Sequence, residues 1–147
     1  MNDPITDVSS IDKAVAYIIT STARHLKLHL QRNLREHNIG PEQWFLLFRL
    51  YEKDGRSQKE LADQNANDYP NITRLIDALS KKGFVERRAD PSDRRKQLVF
   101  LTDSGRNFME GLMPWVIDVR KEVFKGISKA ELFQLVDTLQ KIEENLK

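Results

Sequence analysis

From Ser9 to Glu36 the residues Ile11, Ala14, Val15, Ile18, Ile19, Thr22, Leu26, Leu30 and Leu34 recur at spacings of three and four, the stripe of an amphipathic helix. Ser9 followed by Asp12 supplies an N-terminal cap. At 1.5 Å per residue such a helix of about 28 residues is about 40 Å long and reaches beyond its own domain toward a partner. Gly40-Pro41-Glu42 opens a second helix, Pro41 to Lys53, because proline lacks only an N–H that the first turn leaves unbonded anyway. Trp44, Phe45, Leu46, Leu47, Phe48, Leu50 and Tyr51 make it apolar nearly all round, and Gly55 is placed to stop it.

Ser57-Gln58-Lys59-Glu60 fits a capping box and starts a short helix, Gln58 to Gln64. Asn65-Ala66-Asn67 reads as a turn, with Asp68 capping a fourth helix that turns Ile72, Leu75, Ile76 and Leu79 inward and stops at Gly83. Two short helices across a three-residue turn form a helix-turn-helix candidate. The period then changes. Phe84–Arg88 and Gln97–Leu101 are rich in β-branched and aromatic residues, and the polar stretch from Ala89 to Lys96 reads as the long tip of a hairpin, or wing. Thr102 caps a fifth helix, Asp103 to Lys125, which Pro114 should bend. Ser128-Lys129-Ala130-Glu131 opens a sixth helix carrying Leu132, Leu135, Val136, Leu139, Ile142 and Leu146. The predicted class is mainly α (α+β by strict count), in the order α-α-α-α-β-β-α-α.

Composition narrows the chemistry. The 147 residues include no cysteine, which excludes disulfides, thiolate metal sites and thiol redox sensing. No apolar run approaches the length of a membrane span, so a cytoplasmic protein without a membrane partner is expected. The net charge of +2 says little alone, but its distribution is uneven. Between Pro70 and Arg106 nine basic residues face five acidic ones, whereas the remainder is slightly acidic.

With the aliphatic residues of the fourth helix inward, Tyr69, Pro70, Asn71, Thr73, Arg74, Asp77 and Lys81 are left on its outer face. Asn suits adenine, Arg suits guanine, and Thr meets a base methyl or a phosphate, in a major groove wide enough for a helix. Residues early in the helix should lie deepest, with Lys81 and Lys82 flanking the backbone. The wing offers Arg87, Arg88, Arg94, Arg95 and Lys96, and an arginine at a protruding tip can enter the narrow minor groove. Asp93 is expected to pair with Arg94 or Arg95 and orient the guanidinium. Double-stranded DNA is the partner these features indicate. The competing reading is a winged-helix module that binds protein and never touches DNA.

The stretches GPEQW, SQKELADQ and NITRLIDALSKKGFVERRADPSDRRKQLVFLTDSG resemble bacterial transcription regulators of the multiple antibiotic resistance regulator (MarR) family. The most specific part joins an Asp-x-Arg wing (Asp93, Arg95) to a Leu-Thr-x-x-Gly helix start (Leu101, Thr102, Gly105). The resemblance implies one chain, 1–147, with a winged helix-turn-helix lobe at 41–101 and helical dimerisation regions at 9–37 and 103–146, assembled as a homodimer that regulates transcription, by default as a repressor. Tyr69-Pro70 departs from the family pattern and bears on the sequence read. The family also implies a small aromatic or phenolic effector between the dimer region and the lobe. Candidates are Arg24, His25, Trp44, Phe45, Phe48 and Trp115, although the same aromatics read more simply as core.

His25 and His29 are four apart, as for a shared metal, but no further ligand is evident and a surface pair is the simpler reading. No metal or cofactor is expected. Neither a phosphate loop nor a hydrolase or metalloprotease motif is present, so the sequence indicates no enzyme.

Overall fold

The computed structural model describes residues 11–64 and 69–147. The elements are α1 (Ile11–Leu34), a 3-10 turn (Arg35–His37), α2 (Pro41–Glu52), β1 (Arg56–Ser57), α3 (Gln58–Gln64), α4 (Tyr69–Lys81), β2 (Val85–Asp90), β3 (Asp93–Leu101), α5 (Asp103–Val123) and α6 (Lys129–Leu146). The predicted order therefore holds, with one short strand added. Ser9, the Asn65–Asn67 turn and the Asp68 cap lie outside the described residues.

The chain forms two compact units, Met1–Met109 and Glu110–Lys147. The first owes its core to the faces that periodicity marks. Leu34, Leu46, Leu47, Leu50, Leu61, Ile72, Ile76, Leu79, Val99 and Met109 are all fully buried. On α4 the buried set is Ile72, Ile76 and Leu79, with Leu75 only half-buried. Burying one such side chain stabilises by roughly 1.5–3 kcal/mol, so this face holds the helix to the lobe.

Three local devices fix the ends. α1 stops at Leu34, two residues short of its predicted end, because the chain tightens into a 3-10 turn closed by Asn38 in the left-handed region (φ 58°). α2 ends at Glu52, and Gly55 (φ 72°) serves the following turn, donating its N–H to the Val99 carbonyl. α4 ends in a Schellman motif, in which Gly83 (φ 78°) bonds to Ser80 O and Phe84 to Leu79 O.

The sheet is antiparallel in the order β1-β3-β2. β1 has two residues, too few for any periodicity to mark, and pairs Arg56 with Val99 and Ser57 with Leu98. The strands of the wing run further than expected, so the eight-residue tip shrinks to a turn over Pro91 and Ser92. In the second unit α5 continues through Pro114, and the Ser128 hydroxyl caps α6 by accepting the Glu131 N–H at 3.1 Å. No residue of α6 is buried.

Candidate nucleic-acid interface

α4 presents what its inward face leaves over. Tyr69, Pro70, Arg74, Asp77 and Lys81 are exposed, and Asn71 and Thr73 are half-buried. The Thr73 hydroxyl already donates to the Tyr69 carbonyl (3.0 Å) and accepts from Gln58 Nε2 (3.1 Å), so it is anchored between α3 and α4. Ser57 caps α3 by accepting the Glu60 N–H at 3.1 Å, while its own hydroxyl donates to Glu60 Oε1 at 3.3 Å. The glutamate thus answers the serine side chain and not, as a capping box would have it, the serine N–H.

The wing separates its basic residues into two groups. On the stem, Arg87 donates to Asp77 Oδ1 (2.7 Å), to Gln58 Oε1 (3.0 Å) and to the Thr73 carbonyl (3.4 Å). Arg88 pairs with Glu86 and lies 4.3 Å from the centre of the Phe100 ring. Both arginines, and Asp77, expected at the DNA, have partners within the protein's own lobe.

At the tip the ladder pairs Ala89 with Gln97 and next Asp90 with Asp93. One step on β2 thus spans four on β3, and Arg94, Arg95 and Lys96 bulge from the pairing. Two carboxylates hold the turn. Asp90 Oδ1 accepts the Ser92 N–H (2.9 Å) and hydroxyl (2.8 Å), and Asp93 Oδ1 accepts the Arg95 N–H (3.0 Å). Asp93 therefore braces Arg95 through the backbone, and among the described residues it makes no ion pair with Arg94 or Arg95. The Ser92 N–H and hydroxyl, aided by the Lys96 charge, hold the Asp90 carboxyl below its usual pKa.

A cleft of about 350 Å³ lies where α3, the front of α4 and the wing meet, lined by Lys59, Asp63, Tyr69, Arg95, Lys96 and Gln97 among others. It joins the predicted Tyr69, Arg95 and Lys96 to Lys59, which sequence reasoning passed over. Lys59 sits inside the capping-box motif, where its neighbours drew the attention. Lys82, expected along the DNA backbone, donates to the Asn38 carbonyl and to Gln43 Oε1 (3.0 Å), tying the end of α4 to the entry of α2.

The wing's base is closed by Thr102. Its N–H donates to the Phe84 carbonyl (3.0 Å), its hydroxyl donates to the Gly83 carbonyl, and its Oγ1 accepts the Gly105 N–H (3.0 Å). A Cβ at Gly105 would lie 2.0 Å from the Phe84 carbonyl oxygen, which is why only glycine fits the last position of Leu-Thr-x-x-Gly.

Five of the six effector candidates belong to the first unit. Trp44 is buried, with its ring centre 5.6 Å from that of Phe48, Phe45 is 45% exposed, and Arg24 and His25 are exposed. Trp115 belongs to the second unit. An apolar pocket of about 360 Å³ does open between α1 and α2, lined by Ala23, Leu26, Lys27, Leu30, Pro41, Glu42 and Phe45. Of the predicted set it contains Phe45 alone. Near His25 and His29, no group of three metal-ligating side chains occurs among the described residues. No described helix is long and apolar enough to cross a membrane.

Residues 39–96, which span α2 through the wing tip, match the MarR family model. An uncharacterised HTH-type transcriptional regulator of Bacillus subtilis strain 168, YkoM, is 29% identical over 113 residues, covering 77% of this chain and 73% of the relative. A MarR transcriptional regulator from Methanosarcina mazei Go1 superposes with a TM-score of 0.77 at 26% identity, over 90% of this chain and 96% of that one. The fold is also that of S. aureus MepR in its complex with DNA, with a TM-score of 0.78 at 24% identity over 90% and 98% of the two chains.

Proposed function

We propose that the chain is a winged helix-turn-helix, DNA-binding transcriptional regulator of the MarR family, whose model residues 39–96 match, and that it acts as a homodimeric repressor of a pseudo-palindromic operator. The observation that carries the reading is the division of labour on one face. α4 offers Tyr69, Asn71 and Arg74 to a major groove, while Arg94, Arg95 and Lys96 protrude from the wing toward the flanking backbone or minor groove.

Uncovered apolar side chains support the dimer. α6 exposes Phe133, Leu135, Val136 and Leu139, and α1 exposes Tyr17 and Ile18. An apolar stripe on a helix with no fully buried residue fits a second copy, which would also set the spacing of two recognition helices. For an effector we propose the α1–α2 pocket, whose apolar walls and flanking Lys27 and Glu42 suit a small aromatic molecule with a polar substituent. The reading assigns the chain no catalytic step.

A gel shift with the protein's own upstream intergenic DNA, across a salt series, tests the function. Two chains per duplex and an affinity falling steeply with salt are expected, with release by those small aromatics that bind the pocket. A stable dimer whose DNA affinity is absent at every salt concentration would favour the protein-interaction module.

A further inference from the structure

The stem arginine has a role apart from holding DNA. We propose that Arg87 is a positioning residue that fixes the angle between the wing and the recognition helix, so that both reach the duplex in register. The inference rests on the reading of the lobe as a DNA binder.

Arg87 stands on β2, opposite Val99 of β3, and its guanidinium leaves the sheet toward the helices. There it meets three partners from two elements. Nε donates to Gln58 at the start of α3, and Nη2 lies on Asp77 and the Thr73 carbonyl of α4. Gln58 carries the connection on, since its Nε2 donates to the Thr73 hydroxyl, which donates in turn to the Tyr69 carbonyl. The chain from the wing stem to the front turn of α4 is continuous: Arg87, Gln58, Thr73, Tyr69.

Two features distinguish this from a surface ion pair. Gln58 is among the buried polar residues of the lobe (7% exposed), and the Arg87 side chain is only 24% exposed. Hydrogen bonds at such sites have definite geometry and are costly to leave unmade. The planar fork is also essential. A lysine ammonium keeps the charge but cannot reach Gln58, Asp77 and Thr73 in their three fixed directions. Asp77 then has a reason to sit on a DNA-facing helix, where a bare carboxylate would repel phosphate.

The test uses the full chain with two probes: a duplex enriched from a random library by the wild-type protein, and a shuffled duplex of the same base composition. Affinities are measured across salt for Arg87→Lys, Arg87→Gln, Asp77→Asn and the Gln/Asn double variant, at temperatures well below each variant's melting point. A positioning role predicts that Arg87→Lys and Arg87→Gln behave alike. Each should lose about tenfold or more of the preference for the selected duplex, with the salt slope on the shuffled duplex unchanged. Asp77→Asn should lower the same preference, and the double variant should be no worse than the worse single one, because both break one network.

A phosphate contact predicts otherwise. Arg87→Lys would stay near wild type, Arg87→Gln would lose about one unit of salt slope on both probes, and Asp77→Asn would tighten binding to both. That pattern overturns the proposal and leaves the DNA-binding reading standing. If the wild-type protein enriches no duplex and shows no salt-dependent affinity, both fall together.

Discussion

The stem and the tip of the wing carry the same residue type on the same hairpin, yet they stand in different relations to the protein. Arg87 has its donors on Gln58, Asp77 and Thr73, and Arg88 is held by Glu86 against the Phe100 ring. Arg94 and Arg95 project from a bulge where three residues of β3 have no partner on β2, and neither enters an ion pair among the described residues. A guanidinium already satisfied by the fold must give up those bonds to meet phosphate. One held out on a hydrogen-bonded turn need only exchange water. On the proposed reading, counting basic residues overstates the interface, and the partners of each decide which are placed to bind.

The hardest way to break this contrast is to unseat the stem. Gly105→Ala places a Cβ against the Phe84 carbonyl, so a shift of the β2 entry or of α5 must follow. A loss of roughly 3 kcal/mol or more in urea denaturation is expected, at the upper end of overpacking costs. An unchanged midpoint would mean that the junction is looser than its geometry.

Recognition comes next. Arg74→Ala should cost about 1–3 kcal/mol on the selected duplex and relax preference at a single base pair. If discrimination survived intact, Arg74 would touch only backbone. For the tip, Arg95→Ala should weaken binding to every sequence and reduce the salt slope by about 1, read from affinities between low and moderate salt. Unchanged slope and affinity would take the tip out of the mechanism. The smallest effect sharpens the comparison: Arg88→Ala should alter DNA affinity by less than about 0.5 kcal/mol, since an exposed ion pair contributes little and its partner is the protein itself. A loss as large as that of Arg95→Ala would erase the distinction between stem and tip.

Much of this was legible in the sequence. The buried face of α4 follows from spacing, and Gly83 and Ser128 mark the ends they should, whereas α2, which reads as apolar nearly all round, leaves Phe45 45% exposed. α3 runs from Gln58 to Gln64 as its serine cap implies. What escaped depends on contacts between distant positions. β1 exists because Arg56 and Ser57 meet Val99 and Leu98, more than forty residues away, and no two-residue strand has a period. Composition gives Arg87, Asp77 and Lys82 a charge without partners. Their neighbours within the chain, Gln58, Thr73, Asn38 and Gln43, are apparent only once the chain is folded. The sequence makes the wing tip look longer than it is for a related reason. Asp90 and Asp93 spend their carboxylates on backbone N–H groups and so let the strands run to Pro91-Ser92.

The most direct test of the central claim is hydroxyl-radical footprinting of the full chain on the selected duplex, wild type beside Arg95→Ala. The account predicts two protected half-sites with centres about one helical turn apart, roughly 10 base pairs, with protection of the flanking minor groove that disappears in Arg95→Ala while the half-sites persist. One protected half-site, or flanks equally protected in the variant, would contradict it.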